Sequence, residues 1–243
     1  MFFLFPYMLT FSPALLLGAA AVIPAIALLV LVWREDDIER ESPQLVASLV
    51  AAGCLSALCA IAAETAWDFI LGFFVRESSV IGRILMYFGV VACSEEGFKY
   101  YFLRRRTWRH PEFNYRFDGV VYAVAVSLGF ALLENITYVF SYGLGVALIR
   151  AFTAIPGHAC FGIFMGSWYG QARLYERRGL PEQSRRCLRL ALLIPVLLHG
   201  TYDFIATWES GAGTVLFLLF AGGMFFYSWR LLKRGAESDT YIG

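Results

Sequence analysis

The sequence predicts an all-α polytopic membrane bundle of about seven transmembrane helices. Three observations carry that reading. The chain is 59% hydrophobic and only 16% charged, against roughly 25% charged residues in soluble domains. Several runs reach the roughly 20 apolar residues needed to cross a bilayer. Basic residues fall on alternate loops, as they do when a chain threads back and forth across a membrane. The net charge of +1 leaves no general polybasic surface, which excludes nucleic acid as a partner.

The first span covers residues 9–33 and ends at Arg34. Its approach, Met1-Phe2-Phe3-Leu4-Phe5-Pro6, lacks a basic region, and the apolar stretch is too long for a cleavable signal. The second covers 44–66, but apolar character continues through Trp67, Phe69, Ile70, Phe73 and Phe74. A straight helix over all of it would be about 46 Å long, against a hydrocarbon core of roughly 30 Å. Residues 64–77 are therefore expected at the outer interface, amphipathic or re-entrant, with Glu64 and Asp68 as interfacial acids beside Trp67.

The third span (79–103) contains Ser94-Glu95-Glu96-Gly97-Phe98-Lys99. The fourth (118–140) contains Glu134-Asn135, and the fifth (145–170) contains His158. In the fifth, Gly162, Gly166 and Gly170 recur every four residues, a small-residue stripe that predicts close packing on a neighbour. The sixth (189–208) holds His199 and Asp203, with Gly200 leaving room for another backbone, and the seventh covers 212–232. Short polar breaks separate the spans, so residues 1–243 read as a single integral membrane domain.

Arg34 and Arg40 follow the first span, and Arg104, Arg105, Arg106, Arg109 and Arg116 the third. Arg173, Arg177, Arg178, Arg185 and Arg186 follow the fifth, and Arg230, Lys233 and Arg234 close the seventh. The opposite side carries Arg76, Arg83 and Arg150. The positive-inside rule then puts the N-terminus outside and the C-terminus in the cytoplasm. Cys54, Cys59, Cys93, Cys160 and Cys187 form no CxxC pair and read as small buried hydrophobes.

Charges inside four spans point to a site, because a charge at the bilayer centre costs at least about 2.5–3.5 kcal/mol. Glu95 and Lys99 share a helix face, Glu96 and Lys99 are three apart, and the two glutamates point about 100° from each other. One carboxylate is expected to pair with Lys99. The other, poorly solvated and facing a cavity, is suited to take a proton as general base. His199 and Asp203 share a face, so the aspartate can fix the imidazole tautomer and leave the other nitrogen toward the site. Glu95 lies about 13 Å along the helix from Arg104, level with His158 and His199 near the middle of their spans. Glu134 lies about 24 Å past Asp118 and joins them only if its helix begins below the membrane surface. Water, a base and an oxyanion donor suffice for peptide hydrolysis. No serine or cysteine has a matching His/Asp partner. The set Glu95, His158 and His199 is also chemically able to ligate zinc with an open position.

Glu95-Glu96-x-x-Lys99, Phe130-x-x-x-Glu134-Asn135, His158 and His199-x-x-x-Asp203 together resemble the PrsW family of intramembrane proteases, over about residues 79–206. The stretches Asp118-Gly119-Val120-Val121-Tyr122-Ala123 and His158-Ala159-x-Phe161-Gly162 are similar to that family as well. The resemblance implies kinship with CAAX-processing endopeptidases and the APH subunit of gamma-secretase. It implies a plasma-membrane protease in which Glu95 or Glu96 activates water, motif order favouring Glu95. His158 and His199 then serve as oxyanion or proton partners, Asp203 orients and Lys99 holds the spare carboxylate, with no cofactor required. The implied substrate is a single-pass membrane protein such as an anti-sigma factor, cut in a first, site-1 type step within the lipid. A non-catalytic scaffold that binds a transmembrane partner and a proton- or ion-coupled transporter are the competing readings. The transporter predicts internal repeats, which are not evident.

Overall fold

In the computed structural model, which describes residues 13–74 and 79–243, with the side chain of Pro13 left out, the chain is helical almost throughout. The start of the first predicted span at Leu9, the Met1–Pro6 approach, Arg76 and Glu77 lie outside the described residues. The helices are α1 (Pro13–Arg34), α2 (Pro43–Leu71), α3 (Val80–Ile84), α4 (Cys93–Thr107), α5 (Asp118–Tyr142), α6 (Leu144–Phe152), α7 (Ala154–Arg177), α8 (Pro181–Ala206) and α9 (Gly211–Glu237). Among the described residues, six helical runs are long and apolar enough to cross a membrane, which makes the chain a multi-pass membrane protein.

The predicted third span is a helix in three parts. A π-helical stretch, Leu85–Ala92, joins α3 to α4, so no single α-helix there reaches spanning length. π-turns widen the backbone and turn the following residues relative to an α-helix, a device found mostly at functional sites. Here the stretch precedes Glu95 and Glu96 and sets Phe88 against α8. A Cβ built on Gly200 would fall 2.5 Å from the Phe88 ring. The room at Gly200 is thus filled by an aromatic side chain rather than by the expected backbone.

Helix α5 is the axis of the bundle. Every residue from Asp118 to Ala131 is buried, which explains its near-continuous small and β-branched sequence: no face is left for lipid or water. Glycines allow the approach on both sides. A Cβ at Gly129 would lie 2.2 Å from the Val50 carbonyl of α2, and one at Gly166 of α7 2.4 Å from the Gly119 carbonyl. At Gly170 it would lie 2.0 Å from the Arg116 carbonyl. The predicted glycine stripe is therefore the α7 face that packs on α5 and the turn before it.

Three expectations need correction. Helix α2 runs unbroken through Glu64 to Leu71, because nothing in its sequence stops it, and Glu64 turns toward the interior cavity while Asp68 is exposed. The predicted fifth span is a short helix, α6, and a long one, α7, broken at Thr153, whose φ of −122° and ψ of −74° are not helical. Of the cysteines, Cys160 and Cys187 are buried, Cys54 and Cys59 are half-buried, and Cys93 is exposed. All five are free thiols.

The start of α5 sits inside a layer of polar connections. Asp118 is fully buried and accepts from the backbone N–H groups of Asn114 (2.9 Å) and Tyr115 (2.7 Å). Tyr115 pairs with Tyr241 of the C-terminal tail, and Ile242 N–H donates to the Asn114 carbonyl. This layer anchors the start of α5, and on the second half of the helix Glu134 reaches the other polar groups.

Candidate active site

Four helices bring the intramembrane polar residues to one place. On α4 the Lys99 ammonium lies 2.7 Å from Glu96 Oε1 and 3.2 Å from Glu95 Oε2. Residues three and four back along a helix flank the same groove, so one lysine reaches both. The expected division, one acid paired and one free, is thus replaced by a shared cation. The third Lys99 hydrogen goes to His158 Nδ1 on α7, at 3.1 Å. The ammonium also stands 3.9 Å from the Phe130 ring centroid, on α5, a cation–π contact that accounts for the aromatic four residues before Glu134.

These contacts fix the state of His158. Lysine has donors only, so Nδ1 accepts, Nε2 carries the proton, and Nε2–H donates to Glu134 Oε2 at 2.9 Å. Glu134 also pairs with Arg150 Nη2 of α6 at 3.0 Å. Arg150 Nε donates to Asn135 Oδ1, and Asn135 Nδ2 donates to the Ala21 carbonyl of α1. The asparagine therefore ties the first helix and the α6 arginine to the site.

His199 is held differently. Its Nδ1 is 2.9 Å from Glu96 Oε1 and its Nε2 is 3.3 Å from Asp203 Oδ2. Both nitrogens face carboxylate oxygens, so both donate, and only imidazolium carries two N–H groups. Its inner nitrogen is therefore occupied by Glu96 and does not face open space as expected. The ring stacks on Phe161 at 4.6 Å.

A cavity of about 780 Å³ opens beside this network. Glu64, Glu95, Glu134, His158, His199 and Asp203 line it, with Arg150 and Tyr202. Glu96 and Lys99 are completely enclosed behind them. The cavity is framed by the ends of α2, α5 and α8 and the starts of α7 and α9, at the opposite end of the bundle from the arginine-rich connections. Sequence reasoning misses two lining residues. Arg150 counts there only among the charges of the outer side, although it stands in an apolar run eight residues before His158. Glu64 reads as interfacial because its span looks too long for the bilayer.

A metal can be tested against these donors. Glu95, Glu96 and His158 offer ligand atoms all within 4.8 Å of one another, but the Lys99 ammonium already stands against each of them. In the alternative set of Glu95, His158 and His199, neither imidazole turns a free lone pair to the cavity. As arranged, these residues do not fit a metal ion.

Comparison with known proteins identifies the family. The family model described as PrsW family intramembrane metalloprotease matches residues 41–229. The protein called Protease PrsW in Oceanobacillus iheyensis is 35% identical over 195 residues, covering 77% of this chain and 81% of that protein. Protease PrsW of Bacillus subtilis is 33% identical over 190 residues, covering 78% and 82%. Protease PrsW of Geobacillus kaustophilus is 29% identical over 225 residues, covering 92% of each. No solved structure matches.

Proposed function

The chain belongs to the PrsW family of intramembrane proteases, and on that premise we propose that it hydrolyses peptide bonds of membrane-anchored proteins with Glu95 as the general base and without a metal. The observation that carries this reading is the unequal placement of the two glutamates. Glu96 is enclosed, with Oε1 held by both Lys99 and His199. Glu95 gives one oxygen to Lys99 and lines the cavity. A base must reach the water it deprotonates, and of the adjacent pair only Glu95 meets the cavity.

The steps follow from the hydrogen bonds. A substrate segment enters the cavity with its scissile carbonyl near the imidazoles. Glu95 takes a proton from a water beside it, and the hydroxide adds to the carbonyl carbon. The negative charge that develops on the carbonyl oxygen needs preorganised donors. His199 supplies one through Nε2–H, whose 3.3 Å contact with Asp203 is looser than the 2.9 Å bond from Nδ1 to Glu96 and so the readier to be shared. His158 Nε2–H, held by Glu134, is the second. The proton on Glu95 then passes to the departing amine. Lys99 and Glu96 fix the geometry from behind, and Asp203 holds the His199 ring.

By the arginine alternation the cavity end of the bundle faces outward, with the C-terminus in the cytoplasm. The bond cut then lies in the outer half of the membrane or just above it, within reach of a single-pass protein. An anti-sigma factor cut in a first, site-1 type step fits that access. Purified chain in lipid vesicles, incubated with single-pass peptides, tests the proposal. Cleavage by wild type and its loss in a folded Glu95→Gln variant are expected. Unchanged cleavage by Glu95→Gln overturns it.

A further inference from the structure

At the other end of the bundle, three buried carboxylates meet, and among the described residues none of them forms an ion pair. Asp36 lies in the α1–α2 connection, Glu41 just before α2, and Asp118 at the start of α5, and all three are at most 4% exposed. Their ligand atoms lie within 4.8 Å of one another. That is the separation of two oxygens on opposite sides of an ion with bonds of about 2.4 Å. Among the described residues no lysine, arginine or histidine forms an ion pair with them. Arg40 pairs with Asp37, and Lys233 with Glu35.

The inner polar atoms of this pocket are also unsatisfied. Asp118 spends Oδ2 on two backbone N–H groups, and its Oδ1 has no partner. Asp36 Oδ2 has none either. Tyr122, one helical turn along α5 from Asp118, is fully buried, and its hydroxyl faces Glu41 and Asp118 with no partner outside this cluster. A buried polar group left without a partner is destabilising by about 1–3 kcal/mol, more when it is charged. A positive ion in the centre would relieve all of these at once.

We propose that Asp36, Glu41 and Asp118, with the Tyr122 hydroxyl, bind a divalent metal ion that fastens the α1–α2 connection to the start of α5. The donor set is oxygen only, with no histidine or thiol. That selects a hard cation, Mg²⁺ or Ca²⁺, over zinc, with water completing the coordination. The site is separate from the Glu95 cluster and acts on it only through α5, which carries Glu134 and Asn135 on its second half. Its role is to set the height of that helix.

The test uses the full chain purified in detergent and stripped with chelator. Mg²⁺ and Ca²⁺ are titrated separately at neutral pH, with thermal unfolding and direct measurement of bound metal as readouts. Saturable binding of one ion per chain is expected, with a rise in unfolding temperature that grows with metal concentration. The cation giving the larger rise at equal concentration identifies the better fit. Asp36→Asn and Glu41→Gln should each weaken binding by about tenfold or more. Glu95→Gln should bind as wild type does, which separates this site from the catalytic cluster. If neither ion binds or raises the unfolding temperature, the carboxyl groups share protons instead and the proposal fails. Undiminished binding in the Asp36→Asn/Glu41→Gln double variant also overturns it.

Discussion

Neutralising the two adjacent glutamates one at a time should separate catalysis from stability. In Glu96→Gln, the amide replaces a carboxylate that lies 2.7 Å from the Lys99 ammonium and 2.9 Å from His199 Nδ1. Both partners are almost completely shielded from solvent. Removing one member of a buried ion pair typically destabilises by about 3–5 kcal/mol, since the remaining charge is left without its counter-ion. Glu95 also stands near Lys99, which takes up part of that loss and puts the expectation at the lower end, about 3 kcal/mol. Glu95→Gln leaves the shorter Lys99–Glu96 and His199–Glu96 contacts in place, so both cations keep a counter-ion and it should be less destabilised than Glu96→Gln. Its cleavage rate should fall by about 10²–10⁴-fold, the usual worth of a general base. Thermal unfolding and size-exclusion profiles in detergent give the first comparison, and cleavage of a single-pass peptide in vesicles gives the second. A Glu96→Gln protein as stable as wild type would refute the structural role assigned to that carboxylate. A Glu95→Gln protein that still cleaves would refute the catalytic assignment.

Further outcomes follow from the same contacts. Gly170→Val should prevent stable assembly, because even a Cβ there meets the Arg116 carbonyl at 2.0 Å, whereas Gly145→Ala, with nothing within 4 Å, should express and unfold like wild type. Glu64→Gln should change the apparent affinity for substrate more than the turnover rate, since Glu64 lines the cavity but makes no hydrogen bond to the catalytic groups through its buried oxygen; a turnover collapse in steady-state kinetics would place it in the chemistry. Chelator should leave the initial cleavage rate intact at a temperature well below unfolding while lowering the unfolding temperature itself. Loss of the initial rate with rescue by zinc would make Glu95, His158 and His199 ligands. A reporter fused after Arg234 should read as cytoplasmic and one inserted at Gly211 as external.

The sequence by itself determined the class of protein and most of the site. Apolar runs and sparse charge dictate spanning helices because lipid satisfies no backbone hydrogen bond. Glu95, Glu96, Lys99, His158 and His199 stand out for the same reason: hydrocarbon makes each of them costly unless they meet. The glycine stripe of α7 was legible too, since close helix packing in lipid selects small residues at a fixed interval. Arg150 and Glu64 were not legible. Their places depend on the break at Thr153, beside which Arg150 lines the cavity, and on the unbroken length of α2. The π-helical stretch before Cys93 left no periodic mark in a run that is apolar on every side. Which glutamate meets the cavity was decided by tertiary structure alone. Adjacent residues on one helix have the same propensity and the same burial cost. Only the positions of α7 and α8, pressed in by glycine contacts on α5 and by Phe88 at Gly200, close over Glu96 and leave Glu95 at the cavity wall. Asp118 shows the same limit at the other end: a carboxylate at a helix start is ordinary in sequence, and only the fold brings Asp36 and Glu41 against it.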